Sequence, residues 1–117
     1  MVHRYDTVAF LTDYGTQDEF VGVCKSVIRE IAPHAVVIDL THGVAPFDVR
    51  AGSLALARAI SYVASGVVLA VVDPGVATSR KSFALSVASG SAVLLASDTR
   101  RLALAAAACD ADTPAGA

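Results

Sequence analysis

Short apolar runs that stop at an acidic residue alternate along this chain with longer segments whose apolar positions recur every three to four residues. Residues 7–11 (TVAFL) form the first run, apolar and partly β-branched, and predict a buried strand that stops at the turn Thr12-Asp13-Tyr14-Gly15. Thr16 followed three residues later by Glu19 fits a capping box, so a helix is predicted to begin there. Its apolar face comprises Val21, Cys24, Val27, Ile28 and Ile31, and Pro33 closes it. Residues 35–38 (AVVI) predict a second buried strand ending at Asp39, followed by the loop 41–47 and by Asp48 as the cap of another helix. Leu54, Leu56, Ala57 and Ile60 give that helix a broad apolar face, with Arg50 and Arg58 toward its polar side. Residues 67–72 (VVLAVV) are continuously apolar, as expected for a strand covered on both faces, and stop at Asp73-Pro74-Gly75. Residues 82–88 alternate, Gly90 turns the chain, and residues 92–96 (AVLLA) predict a further buried strand reaching Asp98. Residues 102–109 read as helical.

Strands alternating with helices imply the α/β class: a mainly parallel central sheet flanked by helices, with a hairpin near the C-terminus. One α/β domain is expected over residues 1–109, followed by a frayed tail at 110–117. A chain of 117 residues suffices for a single core, burying about two-thirds of its unfolded surface.

Composition narrows the partners. The chain has 9 basic and 11 acidic residues, a formal net charge of −2, with Lys and Arg scattered rather than striped, so no nucleic-acid footprint is present. A small polar metabolite suits this balance better. No apolar run approaches the ~20 residues that cross a bilayer, so no membrane partner is expected. The N-terminus lacks the apolar core of a signal peptide, which makes a reducing, cytoplasmic address the expectation. Cys24 and Cys109 lie far apart in apolar, helical-looking segments and read as buried thiols. His3, His34 and His42 share no ligand spacing, so no metal site is expected.

Four predicted strands end in a carboxylate: Asp13, Asp39, Asp73 and Asp98. Ligands of open α/β sheets bind in the crevice outside the carboxyl ends of the strands, which makes these acids candidates for one site. Asp is also common in loops and at helix caps, and Asp73-Pro74-Gly75 makes a good plain turn. The first turn carries one Gly and begins with an acid, which excludes a dinucleotide fingerprint and disfavours a polyphosphate. Hydroxyls, amines or a cation fit such a crevice. His42 reads as a loop hydrogen-bonding residue, and Tyr14 and Phe20 serve equally as packing or contact residues.

Leu11-Thr12-Asp13-Tyr14-Gly15, Val37-Ile38-Asp39-Leu40-Thr41-His42, Pro46-Phe47-Asp48-Val49-Arg50-Ala51-Gly52 and Val72-Asp73-Pro74-Gly75-Val76 with Arg80 resemble, in order and spacing, the S-adenosyl-L-methionine (SAM) hydroxide adenosyltransferases. That family is related to SAM-dependent fluorinases and chlorinases. The resemblance implies cleavage of SAM to adenosine and L-methionine by attack of water or hydroxide on the ribose 5′ carbon, with SAM as substrate and no separate cofactor. It implies that Asp13 holds the ribose hydroxyls, that Asp18 falls at the methionine end, that Phe47 walls the substrate and that Asp98 belongs to a binding loop. Asp73 and Arg80 match two members of the family's water-activating set, whose third member, a His, comes from chain beyond this stretch. Relatives also carry a small β-barrel domain there and form trimers with sites between subunits. The expected partners are thus SAM and further copies of the chain or a complementing C-terminal half. The alternative is a non-catalytic module that binds adenosyl ligands or a partner chain. Two departures stand out: Ala77 where the family has Gly, and Asp98-Thr99-Arg100 where it has Asp-Asn-Gly.

Overall fold

The computed structural model describes residues 5–63 and 66–72, together with the backbone of three later strands. In chain order the elements are β1 (Thr7–Thr12), α1 (Phe20–Ile31), β2 (Val36–Thr41), α2 (Val49–Ala59) with a following 3-10 turn (Ile60–Tyr62), β3 (Gly66–Val71), β4 (Ser82–Val87), β5 (Ala92–Ser97) and β6 (Pro114–Ala115). All strands join one sheet in the order β2-β1-β3-β5-β4-β6. β2, β1, β3 and β5 pair in parallel, and β4 runs antiparallel to β5 as the first strand of the hairpin. The expected α/β architecture is therefore present. Pro114–Ala115, inside the stretch expected to fray, pairs antiparallel with β4. Residues 102–109 and Cys109 lie outside the described residues.

The strand order fixes the site's location. From β1 the chain crosses to β2 on one side, then returns past β1 to β3 on the other. Right-handed crossovers in opposite directions put α1 and α2 on opposite faces and leave a switch point between β1 and β3. Alternation along β1 follows: Ala9 and Leu11 face the α2 side, whereas Phe10 and Thr12 face the other.

On the α2 face the core is apolar and closed. Leu11, Leu56, Val68, Ala70 and Val72 have no exposed surface, and Ala9, Val44 and Ile60 complete the cluster. Gly52 lets α2 approach β3 closely, since a Cβ there would lie 2.9 Å from Val72 Cγ2. Asp48 caps α2 as predicted, its Oδ1 accepting the Ala51 N–H at 3.0 Å.

Several local expectations are corrected, among them the buried second strand, since Val36 and Ile38 of β2 are exposed. The capping box of Thr16 and Glu19 does not form: α1 starts at Phe20, Glu19 makes no side-chain cap bond, and Asp18 Oδ1 accepts the Phe20 N–H at 3.0 Å. The reason lies upstream, where Gly15 at φ 76° donates its N–H to the His42 carbonyl at 2.8 Å and the loop is held across the sheet end before the helix can begin. Val27 and Ile31, expected on the packed face of α1, are 49% and 79% exposed, and the strand that follows the helix, β2, is an edge strand of the sheet. Leu54 points out from α2, while Leu56 and Ile60 point in. β3 is buried on one face only, with Val67, Leu69 and Val71 half-buried on the other. Cys24, expected as a buried thiol, is only half-buried. Among the described residues, no helix is long and apolar enough to cross a membrane.

Candidate ligand site at the ends of β1 and β2

Asp13 follows β1 directly, and its N–H reaches the Val71 carbonyl at 3.3 Å, which extends the β1–β3 pairing by one residue. Its carboxylate thus stands at the switch point. Oδ2 accepts the Phe47 N–H at 2.8 Å, and among the described residues the other oxygen has no hydrogen-bond partner. Phe47 adopts φ 65°, a left-handed conformation that is uncommon for a residue with a Cβ, and its side chain is exposed. Backbone strain of this kind persists where the surroundings over-determine it, and here the Asp13 bond is part of that hold.

A cleft of about 490 Å³ opens beside Asp13. Residues 13–18 form one wall and residues 42–46 the other, so Asp13 and Asp18 share it. Its size is within the range of small-molecule sites. Tyr14 lies edge-on to Phe20 with ring centroids 4.7 Å apart, and burial, followed by the nearby Cys24 and Asp13, raises its pKa above the ordinary phenol value. A second cleft, about 510 Å³, runs between the end of β2 and α2, lined by Leu11, Leu40, Val44, Ala51, Ala55 and Arg58, and among the described residues it holds none of the candidates.

Beneath the first cleft runs a line of polar contacts. Lys25 Nζ meets Asp39 Oδ2 at 2.9 Å, Asp39 Oδ1 meets His42 Nε2 at 2.7 Å, His42 Nδ1 meets Thr12 Oγ1 at 2.8 Å, and Thr12 Oγ1 accepts the Tyr14 N–H at 3.1 Å. Thr12 and His42 are buried, and a buried polar group without partners is costly, so every bond in this line has a reason to persist. The His42 hydrogen bond, and after it Lys25, hold the Asp39 carboxyl below the usual carboxylate range. Phe10 lies edge-on to the His42 ring at 5.0 Å and closes the line from the core side.

Asp39 and His42 meet because β2 is irregular. Phe10 pairs with Asp39 and Leu11 with Thr41, which leaves Leu40 as an extra residue in the ladder. In a regular strand, residues three apart point to opposite faces; one bulged residue shifts the phase and brings them to the same face.

Of the candidate residues, Asp13 and Asp18 share one cleft, and Phe47 is tied to Asp13 through its backbone. Asp39 does not join them, being turned to Lys25 and His42. Asp73, Arg80 and Asp98 lie outside the described residues. Sequence reasoning missed Thr12 and Lys25. A hydroxyl at the closing position of an apolar strand was the available signal for Thr12, since it must find a partner once buried.

The fold has counterparts in known proteins. A profile of the SAM hydroxide adenosyltransferase N-terminal domain matches residues 8–115. The chain belongs to the SAM hydroxide adenosyltransferase family. It is 48% identical over 101 residues to the (R)-S-adenosyl-L-methionine hydrolase of Salinispora tropica, which covers 86% of this chain and 38% of that protein. The hydrolase of the same name from Thermus thermophilus is 49% identical over 78 residues, 66% of this chain and 31% of the relative. A fluorinase from an Actinoplanes species is 31% identical over 81 residues, 68% of this chain and 27% of its own. Among solved structures, an uncharacterized conserved protein from Thermotoga maritima superposes with a TM-score of 0.79 at 39% identity, over 90% of this chain and 40% of that one. The chain thus spans less than two-fifths of the length of these hydrolases.

Proposed function

We propose that this chain supplies the ribose-anchoring part of an enzyme that cleaves SAM to adenosine and L-methionine by attack of water or hydroxide on the ribose 5′ carbon. The observation that carries the reading is the Asp13 carboxylate at the β1–β3 switch point beside the cleft, one oxygen pinned by the Phe47 amide and the other without a hydrogen-bond partner among the described residues. A carboxylate can accept two O–H bonds, which suits a vicinal diol. The names of the hydrolase relatives agree with it. Asp18 takes the methionine end in this reading, Phe47 walls the adenosyl group and Asp98 belongs to the binding loop.

Asp73 and Arg80 are the proposed water-activating pair. A hydroxide that attacks the 5′ carbon of a sulfonium substrate loses charge as the C–O bond forms and the C–S bond to methionine breaks, so a dry pocket raises its reactivity. Arg80 stays protonated and stabilises hydroxide, and Asp73 orients the water. We further read the working enzyme as an oligomer, or as a complex with a C-terminal half, a reading that the exposed Phe20, Val23, Val27 and Ile31 along α1 support.

The test is product analysis in isotopically labelled water, with the chain alone and joined to the C-terminal part of a relative. Adenosine labelled at the 5′ hydroxyl, lost in Asp73→Asn, is expected. Label-free adenosine, halide-dependent products or full activity in Asp73→Asn overturn the mechanism. Ligand binding without turnover in both preparations favours a non-catalytic adenosyl-binding module.

A further inference from the structure

We propose that His42 is the positioning residue of the ribose site: it clamps the β1 exit loop on both sides of Asp13 and so sets where that carboxylate points. The proposal rests on the functional reading above for its ligand, but its geometry stands on contacts within the chain.

His42 holds the loop at two places. Its ring bonds Thr12 Oγ1, the residue before Asp13, and its carbonyl accepts the Gly15 N–H, two residues after it. Thr12 Oγ1 also accepts the Tyr14 N–H, which fixes the peptide leaving Asp13. The segment that carries the carboxylate is thus suspended between two bonds to one buried side chain and its own backbone. Asp13 closes the circuit by accepting the N–H of Phe47, five residues beyond His42 on the opposite loop.

The ring orientation is itself fixed. An ionised Asp39 only accepts, so Nε2 carries a proton, and in the neutral ring Nδ1 is then the acceptor for the Thr12 hydroxyl. A neutral ring with its proton on Nε2 satisfies every group from Lys25 to Tyr14, and each bond uses one hydrogen. Lys25 on α1 holds Asp39, Asp39 holds the ring, and the ring holds Thr12. None of these groups needs to touch the substrate, and a charged residue beyond Asp13 is tied to its aim through packed, directional contacts. Placing a binding group on rigid supports avoids ordering it at the moment of binding.

Two measurements on this chain test the clamp. The first is amide hydrogen exchange by NMR without ligand: the Phe47 amide is protected by Asp13 in the wild-type chain. Its exchange accelerates at least about tenfold in His42→Ala, while the mid-sheet amides of Ala9 and Val68 are unchanged. His42→Gln, which offers one donor and one acceptor, restores part of that protection. Should His42→Ala also expose Ala9 and Val68, Asp39→Ala at the half-exposed end of the line gives the same Phe47 signature without touching the core. The second is calorimetry with adenosine and 2′,3′-dideoxyadenosine. Wild-type binds adenosine more tightly by about tenfold, the scale of one lost charge-assisted hydrogen bond, and His42→Ala abolishes that preference without changing the dideoxy affinity. In an Asp13→Ala background, His42→Ala has no further effect, because it acts through the same carboxylate. Unchanged Phe47 exchange in both His42→Ala and Asp39→Ala, or equal weakening of both nucleosides, overturns the proposal. Loss of Phe47 protection in a chain that shows no preference for adenosine sustains the clamp and overturns the ribose reading instead.

Discussion

The two faces of the sheet are built on different principles. On the α2 side, Leu11, Leu56, Val68, Ala70 and Val72 lose all contact with water and Gly52 lets helix and strand meet closely. On the α1 side the sheet carries Phe10, then the polar line Thr12, His42, Asp39 and Lys25, and the helix above it leaves Val23, Val27 and Ile31 exposed. Non-directional burial serves the first face, where any well-fitting apolar side chain contributes. Directional bonds serve the second, where what matters is the position of one loop to within a fraction of an ångström. The face that stabilises the fold and the face that aims the site are thus separable by mutation.

The largest effect expected is on the apolar face. Leu56→Ala removes a fully buried side chain and should lower stability by about 3 kcal/mol, measured by urea unfolding, with the Asp13–Phe47 contact intact in the folded fraction. If that variant instead lost ligand discrimination at full stability, the division between the faces would be wrong. Asp13→Ala should do the reverse: affinity for an adenosyl ligand falls by one to a few kcal/mol, the order of lost charge-assisted hydrogen bonds, with little change in unfolding. Calorimetry on both forms decides it, and equal affinities remove Asp13 from the site.

Gly52→Ala sharpens the comparison at smaller scale. The added methyl meets Val72 Cγ2, on a stiff β-branched side chain without room to move, so an overpacking cost of roughly 1–3 kcal/mol outweighs a helix-propensity gain of roughly 1. A net loss of about 1 kcal/mol in thermal unfolding is expected, and a more stable variant would show that α2 sits more loosely than described.

The smallest effect concerns pH. Because His42 and Lys25 hold the Asp39 carboxyl below its ordinary value, its contribution is complete above the unfolded-state value and is lost as pH falls through the folded one. Asp39→Asn should therefore be less stable than wild-type at neutral pH and equal to it in strong acid. Asp39 and Lys25 are each 39% exposed, so the difference is a fraction of a kcal/mol, screened further by salt. A gap that widens toward acid would contradict the assigned hydrogen bonds.

What the sequence determined by itself was the class of fold and the family. Apolar runs of strand length between amphipathic segments dictate α/β layering, and Asp48 caps α2 because a short acceptor at that position satisfies the first-turn N–H wherever the helix lies. Asp13 was legible for a similar reason: an acid just past a buried strand has to stand at the sheet end, whichever strands neighbour it. The tertiary structure decided the rest. Strand periodicity puts Asp39 and His42 on opposite faces, and only the extra residue Leu40, opposite β1, turns them toward each other. Val27 and Ile31 carry the pattern of packed helix positions, yet β2 is an edge strand, and among the described residues nothing beyond it packs against them. Thr16 and Glu19 have capping-box spacing, yet the tie between Gly15 and His42, contributed from the other loop, delays the helix to Phe20. In each case the deciding contact comes from a strand or loop distant in sequence, and local pattern carries no information about which neighbour the fold supplies.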